Sequence, residues 1–183
     1  MKSILFILFI FYSFILSPEV TNADMACVNV KKSINNDLPN ATSFLKDDAS
    51  NPYKYSPANA FDGKLSTSWV EGKPGDGIGE IISFRADKIS SISIFPGFGI
   101  KKYFKKNNRL KKVEIKIFTL KGQIASQCGM IGIIGKNLYE TKITFQDKMV
   151  FQTFYMPKLP KSVHGYVVHV KILSVYKGAK WRD

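Results

Sequence analysis

Short runs in which apolar and polar residues alternate recur along the chain and predict β-strands. The clearest is 110–118, where Val and Ile alternate with Lys and Glu, so that one face is buried and the other is wet. Residues 166–174 place Tyr, Val and Ile on one face and a mixed set on the other. Further strands are predicted at 78–84, 88–95, 123–127, 141–145 and 149–155, with a turn at Lys121-Gly122.

No long segment has the period of a helix, and Gly and Pro separate most of the strands. Many short strands with such turns favour a β-sandwich or jelly roll. Residues 35–57 are rich in Asn, Asp, Ser and Pro and are predicted to form an irregular loop. The chain of 183 residues shows no internal repeat or linker, which favours one domain.

The N-terminus has the pattern of a secretory signal peptide. Lys2 precedes an apolar run at 4–16, and the small-residue site Thr21-Asn22-Ala23 follows it. The run is shorter than the roughly 20 residues that a membrane-spanning helix needs. We therefore predict a leader at 1–23, an N-terminal segment at 24–33 and a binding domain at 34–183, in a secreted, extracellular or periplasmic protein. Lipid anchoring through Cys27 is the alternative, although the residues before Cys27 are a poor lipidation site.

The chain carries a net charge of +13, and loss of the leader leaves it unchanged because that segment holds one Lys and one Glu. A positive field of this size favours polyanionic partners and weakens with salt. Acidic glycan, including glycosaminoglycan, and anionic lipid are therefore expected partners, and secretion makes nucleic acid unlikely. Cys27 and Cys128 either form a disulfide or remain thiols, and both alternatives stay open.

A family resemblance begins at residues 55–69, whose sequence is YSPANAFDGKLSTSW. This segment resembles the signature of discoidin domains, the coagulation factor V/VIII C-type group. Residues 70–80, VEGKPGDGIGE, narrow the resemblance to the glycan-binding translocation domain of secreted bacterial NAD glycohydrolases. The segments KKNNRLKKVEI at 105–115 and LSVYKG at 173–178 are similar to later parts of that subgroup.

The resemblance implies an all-β, galactose-binding-like jelly roll over 34–183, with about eight antiparallel strands in two sheets and binding loops at one end. Relatives continue past the position of Trp181-Arg182-Asp183 into a final strand that carries a carboxylate. We therefore expect the C-terminal strand to be truncated here. The NAD glycohydrolase catalytic domain is absent from the resemblance, so its activity is not carried over.

Asp62 and Thr67 are candidate ligands of a structural calcium ion, because relatives hold Ca²⁺ at the matching Asp with loop oxygens. Asp62-Gly63 is equally typical of a plain turn, since Asp accepts local hydrogen bonds and Gly tolerates positive φ. Trp69, which ends the motif, is expected in the core rather than against a sugar.

Residues 101–112, KKYFKKNNRLKK, are the densest basic segment, and two aromatic residues interrupt it. Arg109 is expected to fork onto a planar anion, and Tyr103 or Phe104 to pack on a sugar. The alternative is a solvated basic face that only aids solubility. The Gly-rich connection after Trp69 is expected to add a rim to the site. The predicted ligand-binding residues are Glu71, Lys73, Asp76, Phe98, Lys101, Lys102, Tyr103, Phe104, Lys105, Lys106, Asn107, Asn108 and Arg109.

Nothing in the sequence resembles a catalytic centre. His164 and His169, the two histidines, are expected on opposite faces of a strand, and no nucleophile motif accompanies them. We therefore predict a non-catalytic module that binds cell-surface or matrix glycans, with acidic glycans favoured. The alternatives are an anionic-membrane binder, in which Phe98, Tyr103 or Phe104 enter the interface, and an adhesion or toxin-accessory translocation domain.

Overall fold

The computed structural model describes residues 5–9, 33–35, 39–46, 49–126 and 129–179, which form two antiparallel sheets. The six-stranded sheet has the order β2-β8-β7-β10-β5-β3, and the four-stranded sheet has the order β4-β1-β6-β9. This arrangement confirms the predicted all-β fold. The strands are β1 (Leu5–Phe9), β2 (Ser33–Asn35), β3 (Asn40–Ala41), β4 (Trp69–Val70), β5 (Ile81–Ala86), β6 (Ser91–Phe95), β7 (Arg109–Ser126), β8 (Gly129–Thr144), β9 (Gln152–Tyr155) and β10 (Tyr166–Tyr176). A 3-10 helix, Pro57–Ala60, and one α-helical turn, α1 (Lys101–Phe104), complete the described elements.

The core lies between the sheets and follows the alternation of β7 and β10. Ile115 of β7 pairs with Val170 of β10, and both side chains are buried. Trp69 is also in the core, at 1% exposure, and its indole N–H donates to the Ser43 carbonyl at 3.0 Å. The expectation that Trp69 fills the core is confirmed.

The predicted turn at Lys121-Gly122 is wrong. Strand β7 runs through this point and absorbs the strand predicted at 123–127. The pairing of β7 with β8 shifts register three times between Ile117 and Gly122, and Gly122 has a φ of 146°. The glycine therefore marks an irregularity inside one long strand rather than the end of a hairpin.

Strand β5 begins at Ile81 rather than at 78, because a glycine turn precedes it. Gly77 and Gly79 both have positive φ, and the Glu80 amide donates to the Gly77 carbonyl at 3.1 Å. Residues 149–155 form a shorter strand than predicted, beginning at Gln152.

Strand β1 lies within the segment predicted to be a secretory leader, and it occupies a place between β4 and β6. The predicted cleavage point after Ala23, both cysteines and Trp181-Arg182-Asp183 lie outside the described residues. The leader, the lipid anchor, the disulfide and the truncated strand therefore stay predictions.

Several connections meet at one end of the sandwich, which we call the loop pole. They are residues 61–68, 71–80, 96–108, 145–151 and 177–179. Gly99 lies so close to the 61–68 loop that a Cβ there would be 2.2 Å from the Leu65 carbonyl oxygen. The basic segment 101–112 begins at this pole, beside the other loops.

Candidate functional site

Arg109 is an internal anchor of the loop pole. Its side chain is 5% exposed. The guanidinium donates two hydrogen bonds to the Asp147 carboxylate, from Nε to Oδ1 at 2.7 Å and from Nη2 to Oδ2 at 2.9 Å. Nη1 donates to the carbonyls of Asn107 at 2.8 Å and Lys177 at 3.2 Å. The fork that we expected to hold an outside anion is therefore occupied by a carboxylate of the chain itself.

Phe104 is buried as well, which contradicts the expectation that it meets a sugar or a lipid. It is 3% exposed and packs edge-on against Phe95, with 6.2 Å between ring centroids. The Arg109 guanidinium lies 5.6 Å from the same ring. Phe104 thus closes the core beneath the loops.

Asn108 ties two further loops together. It is 2% exposed, donates to Asp76 Oδ1 at 3.1 Å and accepts from the Gly178 amide at 2.9 Å. Asp76 also pairs with Lys177. Asn107 donates to the Tyr103 carbonyl at 2.9 Å. These polar residues, predicted to contact ligand, have internal partners that shape the loops.

Asp147 was not predicted as part of this site. Its hydrogen bonds with Arg109, together with the nearby Lys105, lower its pKa below the ordinary 3.8, although burial opposes the shift. Lys105 contacts it at 2.7 Å. Arg109 and Asp147 are 38 positions apart, and no local pattern in the sequence connects them.

A second buried carboxylate, Glu80, holds the 71–80 loop against residues 42–43. Its side chain is fully buried. One carboxylate oxygen lies 2.5 Å from the Lys73 ammonium nitrogen, and the other accepts hydrogen bonds from the Thr42 hydroxyl at 2.7 Å and from the Ser43 hydroxyl. Burial raises the pKa of Glu80, but these partners outweigh that effect and hold it below 4.5. Glu71, expected at the rim of a ligand site, is 1% exposed and accepts from the Lys73 amide at 2.9 Å.

The remaining predicted residues form an exposed patch, which we call the cationic loop surface: Phe98, Lys101, Lys102, Tyr103 and Lys106. The three lysines are exposed, and no carboxylate of the described residues lies within 4 Å of their ammonium groups. Phe98 and Tyr103 are half-buried and meet edge-on at 5.4 Å. Lys102 lies 4.8 Å from the Tyr103 ring centroid.

Apolar side chains border this surface. Leu65 is 41% exposed and Ile100 is 37% exposed, and the contact of Gly99 with Leu65 brings them close. Val150, 50% exposed, lies in the 145–151 loop, which contacts the basic segment through Asp147. No periodic pattern in the sequence predicts these residues, because each belongs to a different irregular connection.

Asp62 and Thr67 make the predicted turn. Asp62 Oδ1 accepts from the Lys64 amide at 2.8 Å, Oδ2 accepts from the Thr67 hydroxyl at 2.6 Å, and Gly63 has a φ of 74°. The described residues contain no group of three acidic, His or Cys side chains suited to a metal. Calcium binding by Asp62 and Thr67 stays a prediction.

The two histidines are separated in the structure. His164 is exposed in a turn, whereas His169 of β10 is half-buried on the outer face of the six-stranded sheet, 4.9 Å from Phe118 between ring centroids. Burial lowers the pKa of His169 below 6.5, and Lys116 adds to the effect. His169 borders a shallow depression of about 240 Å³ with Ile81, Glu114, Lys116 and Lys171.

In the part of the chain that the structure describes, no helix has the length and apolar character to cross a membrane. No curated protein and no solved structure was found to match the chain. Residues 22–183, however, match the family described as the NAD glycohydrolase translocation F5/8 type C domain. The match spans most of the chain and agrees with the two-sheet fold and with the motifs at 55–80. The chain therefore belongs to the NAD glycohydrolase translocation F5/8 type C domain family.

Proposed function

We propose that the protein is a secreted, non-catalytic module that binds acidic glycans of a cell surface or matrix through the cationic loop surface. The observation that carries this proposal is the contrast inside one basic segment. Arg109 and Lys105 are tied to Asp147, whereas Lys101, Lys102 and Lys106 extend to solvent with no carboxylate of the described residues within 4 Å.

The chemistry suits a repeating polyanion. Ammonium groups bind sulfate or carboxylate as point charges, without the planar geometry that an arginine fork imposes. The edge-on pair Phe98–Tyr103 offers a small aromatic surface for a sugar ring beside those charges. Each contact is shallow and exposed, so a single site binds weakly, and its affinity falls with salt.

The support for a non-catalytic role comes from the buried ionisable groups. Glu80, Asp147 and Arg109 are engaged with partners that hold loops together. Such groups stabilise the loop pole, and the same partners lower the pKa values of Glu80 and Asp147.

The test compares heparin binding by the K101S/K102S/K106S variant with binding by the unmodified protein. Fluorescence titration measures the affinity at low and at physiological salt. The matched control, K121S/K136S/K161S, removes the same charge from exposed lysines at the opposite end of the sandwich. We expect the first variant to lose about tenfold in affinity, with a smaller salt dependence. We expect the control to lose less than about twofold.

Equal losses in both variants would show that net charge alone attracts the polyanion and would contradict a localised site. A neutral polysaccharide of similar length is the second probe. Binding of that polymer to the unmodified protein as tightly as heparin would exclude recognition through acidic groups.

A second candidate function is binding to an anionic membrane. The observation that favours it is the exposure of Leu65 and Ile100 beside the lysines, because exposed apolar side chains next to cations suit a lipid interface. L65S/I100S is expected to lose binding to phosphatidylserine vesicles and to keep its heparin affinity. Retained vesicle binding in this variant would contradict membrane insertion.

A further inference from the structure

The shallow depression on the outer face of the six-stranded sheet, which we call the sheet-face depression, gathers side chains from the three adjacent strands β5, β10 and β7. Its lining residues are Ile81, Glu114, Lys116, His169 and Lys171. Lys171 is the cross-strand neighbour of both Ile81 and Glu114, and His169 is that of Lys116. Positions two apart on a strand share a face, so these side chains surround one point of the sheet.

The two lysines of the depression differ in how their charge is balanced. Lys116 lies 3.4 Å from Glu114 and 3.2 Å from Glu140. Lys171 is half-buried, and within the ranges that the structure describes no carboxylate comes within 4 Å of its ammonium nitrogen. Two lysines and one glutamate line the depression, which leaves an excess of one positive charge. A cation held partly out of water favours a nearby anion, so the depression suits a ligand with one negative charge.

The rest of the lining indicates what accompanies that charge. Glu114, 13% exposed, accepts hydrogen bonds and repels a second anion, so it suits hydroxyl groups. The half-buried imidazole of His169 offers one donor and one acceptor when it is neutral, and half-buried Ile81 adds an apolar wall. The volume of about 240 Å³ is below the roughly 300–1,000 Å³ of pockets that enclose drug-sized ligands, so it suits one ring rather than a polymer.

We propose that the sheet-face depression is a second binding site, which takes a single sugar ring bearing one carboxylate. The carboxylate pairs with Lys171, ring hydroxyls hydrogen-bond to Glu114 and His169, and Ile81 packs against the C–H face of the ring. No residue of the cationic loop surface lines the depression, and the inference does not depend on the function proposed for that surface.

Ligand binding at this site is coupled to the protonation of His169. Burial and the charge of Lys116 lower the pKa of His169 below 6.5. The charged groups on the same face around it are Lys116 and Glu114 of β7, Lys171 of its own strand and Arg85 of β5. A carboxylate placed among these groups favours the imidazolium, so it raises the pKa of His169. By reciprocity, the protonated protein binds the sugar acid more tightly.

The test is an NMR titration of the histidine side chains with glucuronate. The chain has two histidines, and exposed His164 serves as the internal control. We expect glucuronate to shift the His169 signals saturably and to raise the pKa of His169, with His164 unchanged. Glucose lacks the charge and acetate lacks the ring, so each should bind about tenfold more weakly or worse. Equal binding of glucose would exclude recognition of the carboxylate, and equal binding of acetate would exclude recognition of the ring.

Two variants complete the test, with circular dichroism as the check on folding. K171S should weaken glucuronate binding about tenfold and change heparin affinity by less than about twofold, whereas K101S/K102S/K106S should do the reverse. E114Q makes the depression more positive but replaces the acceptor for ring hydroxyls, so we expect weaker glucuronate binding. Unchanged affinity in folded K171S, or tighter binding in E114Q, would overturn the proposal.

Discussion

Two lysine-bearing regions of the molecule differ in how their charge is balanced. On the outer face of the six-stranded sheet, Lys116 lies 3.4 Å from Glu114 and 3.2 Å from Glu140, and contact with Glu140 raises the pKa of Lys116. Strand register also places Glu114 between Lys171 and Lys142. At the cationic loop surface, Lys101, Lys102 and Lys106 have no comparable carboxylates among the described residues.

This difference shows that a net charge of +13 does not by itself locate a binding site. A same-strand contact with Glu114 and a cross-strand contact with Glu140 neutralise Lys116 on the sheet face. The positive charge of Lys101, Lys102 and Lys106 is not neutralised in this way, because the acid nearest to their segment, Asp147, is already bound by Arg109 and Lys105. Local pairing therefore decides which lysines are available to a ligand.

The largest expected effect comes from removing the anchor of the loop pole. R109L removes both hydrogen bonds from Arg109 to Asp147 and the donor to the carbonyls of Lys105, Asn107 and Lys177, so we expect a loss of about 3 kcal/mol in the free energy of unfolding. Urea denaturation monitored by tryptophan fluorescence measures it, and K101S, an exposed neighbour, is expected to change it by less than about 0.5 kcal/mol. Similar stability in both variants would contradict an anchoring role for Arg109.

Removal of the Glu80 charge is expected to cost somewhat less. E80Q loses the charged hydrogen bonds with Lys73 and Thr42, which should lower the free energy of unfolding by about 2 kcal/mol at neutral pH.

Glu80, together with Asp147, is also expected to make the free energy of unfolding depend on pH in acid solution. The folded pKa values of Glu80 and Asp147 lie below 4.5 and 3.8, so their stabilisation is present above those values and is lost as the pH falls through the folded pKa values. Urea titrations from about pH 6 to about pH 2 should show a shallower loss in E80Q and in D147N than in the unmodified protein. Parallel curves for all three proteins would exclude these two carboxylates as the cause.

His169 is expected to contribute a smaller dependence at milder pH. Its folded pKa lies below 6.5, so the unfolded chain takes up a proton first and stability falls as the pH drops below 6.5. H169N should flatten the free energy of unfolding between about pH 7 and about pH 5, whereas H164N, which changes the exposed histidine, should not. Equal flattening by both variants would contradict the burial effect.

The smallest expected effect tests the comparison directly. E114Q/E140Q raises the net charge by two and frees Lys116 on the sheet face. If local geometry governs binding, heparin affinity should change by less than about twofold, because exposed pairs contribute little. A rise as large as the loss in K101S/K102S/K106S would show that any lysine-rich face serves.

Most of the fold could be predicted from alternation. The strands at 110–118 and 166–174 are the adjacent central strands β7 and β10, because a half-buried strand needs an apolar residue at every second position. The continuity of β7 through Gly122 could not be predicted, since the same glycine suits a turn or an irregular strand. The predicted binding segment, 101–112, contains both buried anchors and exposed lysines, and the sequence could not separate the two.

An all-β fold, a strong positive charge, a motif at 55–69 shared with discoidin domains and a basic segment at 101–112 are all evident from the amino-acid sequence. Which of those basic residues face inward depends on the packing of the strands. A buried cation needs a carboxylate, and Asp147, 38 positions from Arg109, reaches it only because β8 returns antiparallel to β7. Ion pairing between distant positions depends on the packing of strands, and no local pattern encodes it.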